Sequence, residues 1–578
     1  MKSLWLIILL TFIASNSFAL TAQRAKEFLK TLESNDFCST EFYEKFKNTE
    51  LSDLAISLFI DSCFVKKEYE KISKVEENPK EYYFLIEKAY ALKKVGREKE
   101  SKKLFRTVFS KTNRFDEWIL TLNAGDTKYL FTPKILRRKV WKALSERNFD
   151  IAEIYLSLLE NDPYYHLLKG IFYLKQRKYN LARKELEKSE KSEKYFYLAF
   201  IARSSAERFY YYQKAISSNI SSYSKKRLTV YVLDKFLYQD KGFFRKALNL
   251  ARKVDKKLYK EYLVKYFVLT GNIDEALKVL KTLQGEKYRA WEVVLYNKFK
   301  RVEKNFNSNN VSFYSILLNR EKPSFLRGVL PKKEDVSDEG IRFLLEKGRC
   351  DILEFVNGKS PSIALAHYFC GEYKRAIKEA FPFKKEQTKY PFLLYVLYPK
   401  PEVFGNDLIS LSLARQESLF DELALSRSGA MGLMQIMPFT GKYIAKKLKV
   451  ENFKVSQLFD PEVNYRFGSF YINELLKQFS LFPLAAASYN AGPTRIKRAL
   501  KLFGKVEDVY DLVIFTDFYI PFEETRNYVK KVLTNYYYYS QLYGEETDNL
   551  NTGVIKTSSP SVKVETSPSF ESSRTAKK

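Results

Sequence analysis

Histidine is almost missing: the 578 residues contain only His166 and His367. That excludes a histidine-rich metal centre. Cysteine is nearly as rare, and the spacing of Cys38, Cys63, Cys350 and Cys370 resembles no zinc site. Glycine (20) and proline (17) are few for the length, so a fold rich in tight turns has little to build with. No run of alternating apolar residues is bounded by turn residues. Long segments keep a helical 3.6-residue period instead. The class is all-α, and the length sets a prior of about two to four domains.

What is plentiful is positive charge. Lys and Arg number 99 against 69 Asp and Glu, a net +30. Nucleic acid is the usual partner of so basic a chain, but the basic residues are scattered through helices rather than gathered in a block. An anionic polymer outside the cytoplasm would be drawn by the same field. Bacterial cell wall, with its peptide carboxylates, is such a polymer. A basic surface kept for solubility accounts for the charge equally well.

The N-terminus, "MKSLWLIILLTFIASNSFAL", argues for export and so against nucleic acid. Lys2 supplies the positive end, Leu4 to Ala14 the apolar run, and Ser17-Phe18-Ala19 a cleavage site. The run is short of the ~20 residues that span a bilayer, and no Cys follows the cleavage site to carry a lipid. Residues 1–19 are expected to be a signal peptide, leaving a soluble periplasmic chain with no stable membrane insertion. In that oxidising space two short-range disulfides, Cys38 with Cys63 and Cys350 with Cys370, are reasonable. Buried free thiols fit the same spacing.

Residues 20–320 read as helix after helix with a weak internal echo, a turn residue followed five positions later by a small one. The pairs are Gly96 and Ser101, Gly242 and Ala247, Gly271 and Ala276, and Gly371 and Ala376. Arg147 with Ala152 and Arg177 with Ala182 keep the spacing without glycine. The turn residue ends one helix in a left-handed conformation, and the small one lets the next helix pack closely. The expected architecture is an irregular, tetratricopeptide-like helical superhelix. A helical linker over 321–397 follows, ending in the proline-bearing joint "KEQTKYPFLLYVLYPKPEVF". Residues 398–544 form a compact domain. The Ser/Thr/Pro-rich tail, 545–578, is expected to be disordered.

Within 398–544, "ARQESLFDELALSRSGAMGLMQIMP" places one carboxylate, Glu417, where an apolar residue is expected. Ile409, Leu413, Glu417, Phe420 and Ala424 recur at helical spacing. Burial against Leu413 and Phe420 would raise the pKa of that glutamate and let it keep its proton. Further along come "NYRFGSFYINELL" with Gly468 on a contact face, "AASYNAGP" with Tyr489 and Asn490, and "IPFEETRNYV" with Glu523, Glu524, Arg526 and Tyr528.

These motifs, in this order, resemble the soluble lytic murein transglycosylases, whose catalytic domain is goose-type-lysozyme-like. The family pattern appears here as Glu417, Ser418, Phe420, Ser426, Gly429, Ala430, Gly432, Leu433, Met434, Gln435, Met437 and Pro438. It continues in Tyr489 to Pro493 and Glu524 to Val529. Asp421 and Glu422 depart from it, standing where the family commonly has Asn-Pro, and could alter where the Glu417 helix ends. The resemblance implies a lysozyme-like catalytic domain behind the superhelix, with no cofactor and peptidoglycan glycan strands as partner. Other partners, such as cell-wall assembly proteins, stay unidentified.

The implied reaction cleaves the β-1,4 bond between N-acetylmuramic acid and N-acetylglucosamine, with Glu417 as acid then base, and leaves 1,6-anhydromuramyl ends. The implied substrate-binding residues are Ser418, Gln435, Met437, Tyr489, Asn490 and Glu524. Each also has a structural reading: Ser418 as a local helix bond, Met437 as core filler, Glu524 as an ion pair with Arg526. A lysozyme-type hydrolase on the same fold, or a non-catalytic wall-binding scaffold, are the alternative functions.

Overall fold

The computed structural model describes Phe28 and residues 37–544, apart from residues 50, 124–125, 322–327, 354–355, 357–358 and 427. The expected signal peptide and C-terminal tail lie outside the described residues. Within them the all-α expectation holds: helix follows helix, with only isolated β-bridges, Phe306 with Asn319 and Met431 with Leu425 and Ile436.

The echo in the sequence is a repeated helix stop. Gly96, Arg147, Arg177, Gly271 and Gly371 are all left-handed, with φ of 80, 58, 62, 77 and 74°. At each, the next amide reaches back to a carbonyl of the finished helix, for example Arg97 to Leu92 and Asn272 to Phe267, at 2.9 and 2.8 Å. This is the Schellman arrangement, which satisfies carbonyls the helix leaves open. Five residues on, Ser101, Ala152, Ala182, Ala276 and Ala376 are buried against the preceding helix.

Gly242 does not follow this rule. Asp240 caps the backbone of Phe243, so the helix Lys241–Val254 has already begun and Gly242 lies in its first turn. Lys67 and Gly348 make the same stop unannounced. Their positions five residues on, Ile72 and Leu353, are buried but not small.

The hairpins pack into successive cores. Helices between Tyr82 and Ile201 share one, and those between Tyr195 and Leu269 the next. A third runs from Val264 to Tyr314 and continues without a break into residues 404–543. The fourth joins the start of the array (Phe42, Phe59, Ile72) to Leu344, Leu365 and Val396. From there Tyr373 packs edge-on against Phe420, with ring centroids 6.2 Å apart, and Lys374 pairs with Asp421. The array therefore meets the C-terminal domain directly at its end and through the linker at its start, and the helices close into a circuit.

The fourth core also holds both cysteine pairs. Cys38–Cys63 and Cys350–Cys370 are disulfides with sequence separations of 25 and 20. Each restricts the unfolded chain by about 3 kcal/mol on the loop-closure account.

Candidate active site

In the C-terminal domain we label the helices α1 (Leu408–Glu417), α2 (Pro438–Lys447), α3 (Pro461–Phe479), α4 (Phe482–Ala491), α5 (Pro493–Phe503), α6 (Val509–Ile514) and α7 (Glu523–Tyr543). Asp407 starts α1 by accepting from the Ser410 amide at 3.0 Å, and it also accepts from Ser469 of α3 at 2.9 Å. Ser410 to Ala414 are buried in succession. That makes α1 a core helix rather than an amphipathic one, and Arg415 near its end donates to Leu397 O and to Asn535 of α7.

The helix stops at Glu417, so the expected stripe through Phe420 and Ala424 does not continue on it. Leu419 and Phe420 are left-handed, with φ of 57 and 66°, a conformation that costs these side chains about 1–3 kcal/mol each. Phe420 leaves the Glu417 face and packs between Tyr373 and Phe404. Asp421 lies past the helix end, where its charge is taken by Lys374.

Glu417, half-buried at the last turn of α1, accepts a hydrogen bond from Tyr528 Oη of α7 at 2.7 Å. Burial pushes its carboxyl up to about 7, the Tyr528 bond opposes that, and the charge of Glu524 adds to it. Burial thus lets the carboxyl hold its proton near neutrality, as expected, but Phe420 does not supply that burial. Tyrosines surround it. Tyr528 and Tyr489 are both pushed well above the usual phenol range, by burial first and then by the Glu417 charge.

The glycine-bearing loop between α1 and α2 is held by three side chains. Tyr489 of α4 donates to Met434 O at 2.8 Å. Ser418 donates to Leu433 O at 2.7 Å. Asn464 of α3, fully buried, accepts from the Met434 amide at 2.8 Å and donates to Met431 O and Leu458 O at 2.9 and 2.6 Å. Gly432 is required there: its φ is +72°, and a Cβ would lie 2.2 Å from Leu458 O. Gly468 is required on the facing turn of α3, where a Cβ would lie 2.2 Å from Met434 Sδ.

The expected substrate residues divide accordingly. Tyr489 and Glu524 lie near enough to Glu417 for their charges to oppose its ionisation or be opposed by it, and Glu524 is exposed. Gln435 is left-handed, with φ 50°, and its amide nitrogen donates to Ala424 O and Gly432 O. Ser418 is committed to backbone, chiefly to Leu433 O in the loop at 2.7 Å rather than to the local helix carbonyl of Ala414 at 3.5 Å. Asn490 accepts from Thr525 at 2.8 Å and so ties α4 to α7. Met437 is half-buried at the N-cap of α2.

The alternative pairing of Glu524 with Arg526 is not formed. Arg526 is buried and pairs with Asp234 of the array at 3.1 Å. Reasoning from sequence placed Tyr528 in a site motif without giving it a role, and missed Asn464 as a member of the site. Tyr528 stands four residues after Glu524 and so shares its helical face, a signal that was present. Asn464 gave none beyond being polar on a packed helix.

Comparison with known proteins agrees with this arrangement. Residues 407–511 match the transglycosylase SLT domain. Residues 519–547 match the soluble lytic transglycosylase helical domain. The soluble lytic murein transglycosylases of Salmonella typhimurium and Escherichia coli are each 38% identical over 139 residues, 24% of this chain and 21% of the relative. The chain thus spans about a fifth of the length of the curated relatives it matches. The fold reaches further. The crystal structure of the 70 kDa soluble lytic transglycosylase from Escherichia coli superposes with a TM-score of 0.59 over 90% of this chain and 91% of that one, at 18% identity. The resemblance seen in the motifs therefore extends to the fold of the superhelix and the lysozyme-like domain.

Proposed function

We propose that this chain is a peptidoglycan lytic transglycosylase, cleaving the β-1,4 bond between N-acetylmuramic acid and N-acetylglucosamine. The observation that carries the proposal is the state of Glu417: one half-buried carboxyl, protonated up to about pH 7, with a tyrosine hydroxyl on Oε1. The SLT-domain match and the names of the relatives supply the substrate class.

In the proposed reaction Glu417 gives its proton to the glycosidic oxygen as that oxygen leaves C1 of the muramic acid. An oxocarbenium-like centre develops. Tyr528 is placed to stabilise the carboxylate left behind. The C6 hydroxyl of the same sugar then attacks C1 and yields its proton to Glu417. One bond is broken, one is formed, and the enzyme returns to its starting protonation state. No water is consumed, and the tethered hydroxyl gains from its high effective concentration. Among the described residues the acid that acts on Glu417 is Glu524, which is exposed. This supports one carboxyl serving twice rather than a hydrolase's pair. Gln435, Met437, Tyr489 and Asn490 are proposed to shape the groove, and Glu524 to meet the peptide stem. Ser418 contributes by holding the loop.

The setting proposed for this reaction is the periplasm. No helix among the described residues is long and apolar enough to cross a membrane. Mass spectrometry of muropeptides released from purified cell wall tests the proposal. Wild type should release anhydro-ended products and Glu417→Gln none. Reducing ends would mean a hydrolase, and no release by wild type, with binding retained, would mean a scaffold.

A further inference from the structure

Away from Glu417, the helical array and the C-terminal domain enclose a cavity of about 340 Å³. None of Glu417, Gln435 or Tyr489 lines it. One wall comes from the array helices Ser222–Gln239, Lys256–Leu269 and Glu286–Leu295, and the other from Asp517 and the first turns of α7. Apart from Lys257 and Glu523 at the exposed rim, most of the charges here pair off. Lys226 meets Asp255 at 2.7 Å, Lys287 meets Glu261 at 2.8 Å, Arg526 meets Asp234 at 3.1 Å, and Lys530 meets Asp517. Hydroxyls of Tyr288, Tyr262 and Tyr314 occupy further oxygens of Glu261, Asp234 and Asp517.

Lys265 is left over. It lines the cavity and is 2% exposed, yet its ammonium makes no hydrogen bond or ion pair among the described residues. Its nearest recorded partner is the face of Tyr262, 4.9 Å from the ring centroid. A buried ammonium without a hydrogen-bonding partner is costly; Glu261 and Asp234 favour its charge through space, but their oxygens are taken by Lys287, Arg526 and the tyrosines. Burial and the neighbouring Arg526 pull Lys265 down to about 8 against the opposing charges of Glu261 and Asp234, which leaves it charged at neutral pH. The cavity volume lies in the range of small-ligand sites.

We propose that this cavity binds a small oxyanion, a carboxylate or phosphate group, whose charge is received by Lys265. The site is built from both walls at once, so a bound anion would fasten the array to α7, the helix that carries Tyr528. It would also complete the pairing that the four neighbouring cations already have.

The test is thermal denaturation and titration calorimetry of the full chain with inorganic phosphate and, separately, with succinate. Ionic strength is held constant with sodium chloride. The expected result is a saturable rise in Tm with at least one of the two anions. Affinity should fall at least tenfold in Lys265→Met, which keeps the length of the side chain without its charge, and persist in Lys265→Arg. Saturation by phosphate alone assigns a phosphate-bearing ligand, and saturation by succinate alone a carboxylate. Lys257→Ser, at the exposed rim, should fold normally and weaken binding a few-fold, so the proposal can be judged even if Lys265→Met does not fold. No saturable effect of either anion on wild type overturns the proposal, as does full affinity in Lys265→Met.

Discussion

Replacing Tyr528 with phenylalanine keeps the buried ring and removes only the hydroxyl that donates to Glu417 at 2.7 Å. In the proposed mechanism the protonated acid starts the reaction, so kcat/KM should fall as pH rises through about 7, where Glu417 titrates. The Tyr528 bond favours the ionised carboxylate, and losing it must raise that pKa. A hydrogen bond to a charged group is worth about 1.5–3 kcal/mol and one to a neutral group about 0.5–1.5. The difference, about 1 kcal/mol, corresponds to a little under one pH unit. The falling limb of the Tyr528→Phe profile should therefore move up by about one unit, with a lower maximum because the carboxylate formed in the reaction has lost its donor. The assay is the initial rate of muropeptide release at low substrate across the titration range. Glu524→Gln should do the opposite, since the Glu524 charge raises Glu417. Its shift should be downward by a few tenths of a unit and shrink with added salt, because Glu524 is exposed. A Tyr528→Phe limb that stays put or moves down would refute the reasoning.

Three further outcomes follow from the packing and charge. Glu417 binds its proton more tightly folded than unfolded, so its contribution to stability is full below about pH 4.5 and lost as pH rises through about 7. Chemical denaturation should accordingly find Glu417→Gln more stable than wild type by about 3 kcal/mol above that pH and nearly equal to it at acid pH. Gly468→Ala forces a methyl into Met434, 2.2 Å from its sulfur. It should cost about 1–3 kcal/mol and lower activity through the displaced loop, read as a drop in both Tm and kcat. Arg526→Met leaves Asp234, largely covered at the junction of array and domain, with the Tyr262 hydroxyl but no ion-pair partner. The expected loss is about 3–5 kcal/mol, seen as earlier unfolding of the C-terminal domain.

The lysozyme-like domain could be read from its sequence because its chemistry is local. Gly429 and Gly432, Gln435, and the Tyr489-Asn490 pair stand within short motifs whose spacing is fixed by single turns. The helix stops were legible for the same reason: a left-handed residue followed by a small buried one is a five-residue signal. Gly242 failed because Asp240, two residues before it, starts a helix where the pattern ended one.

What connects distant segments was not legible. Arg526 finds Asp234 across 292 residues, and Trp291 donates to Asp517 across 226. Neither residue advertises its partner. The end of α1 at Glu417 was hidden as well, since Leu419 and Phe420 have no intrinsic preference for the left-handed conformation that tertiary packing imposes on them. This changed which groups surround the carboxyl: the tyrosines of α4 and α7 stand where Phe420 was expected.

The measurement that bears most directly on the single-carboxyl account is digestion of purified peptidoglycan in water enriched in heavy oxygen, followed by mass spectrometry of the new glycan ends. The account predicts ends lighter by one water than a reducing sugar and free of heavy oxygen, because the nucleophile is the sugar's own C6 hydroxyl. Reducing ends that have taken up one heavy oxygen atom would make water the nucleophile and contradict it.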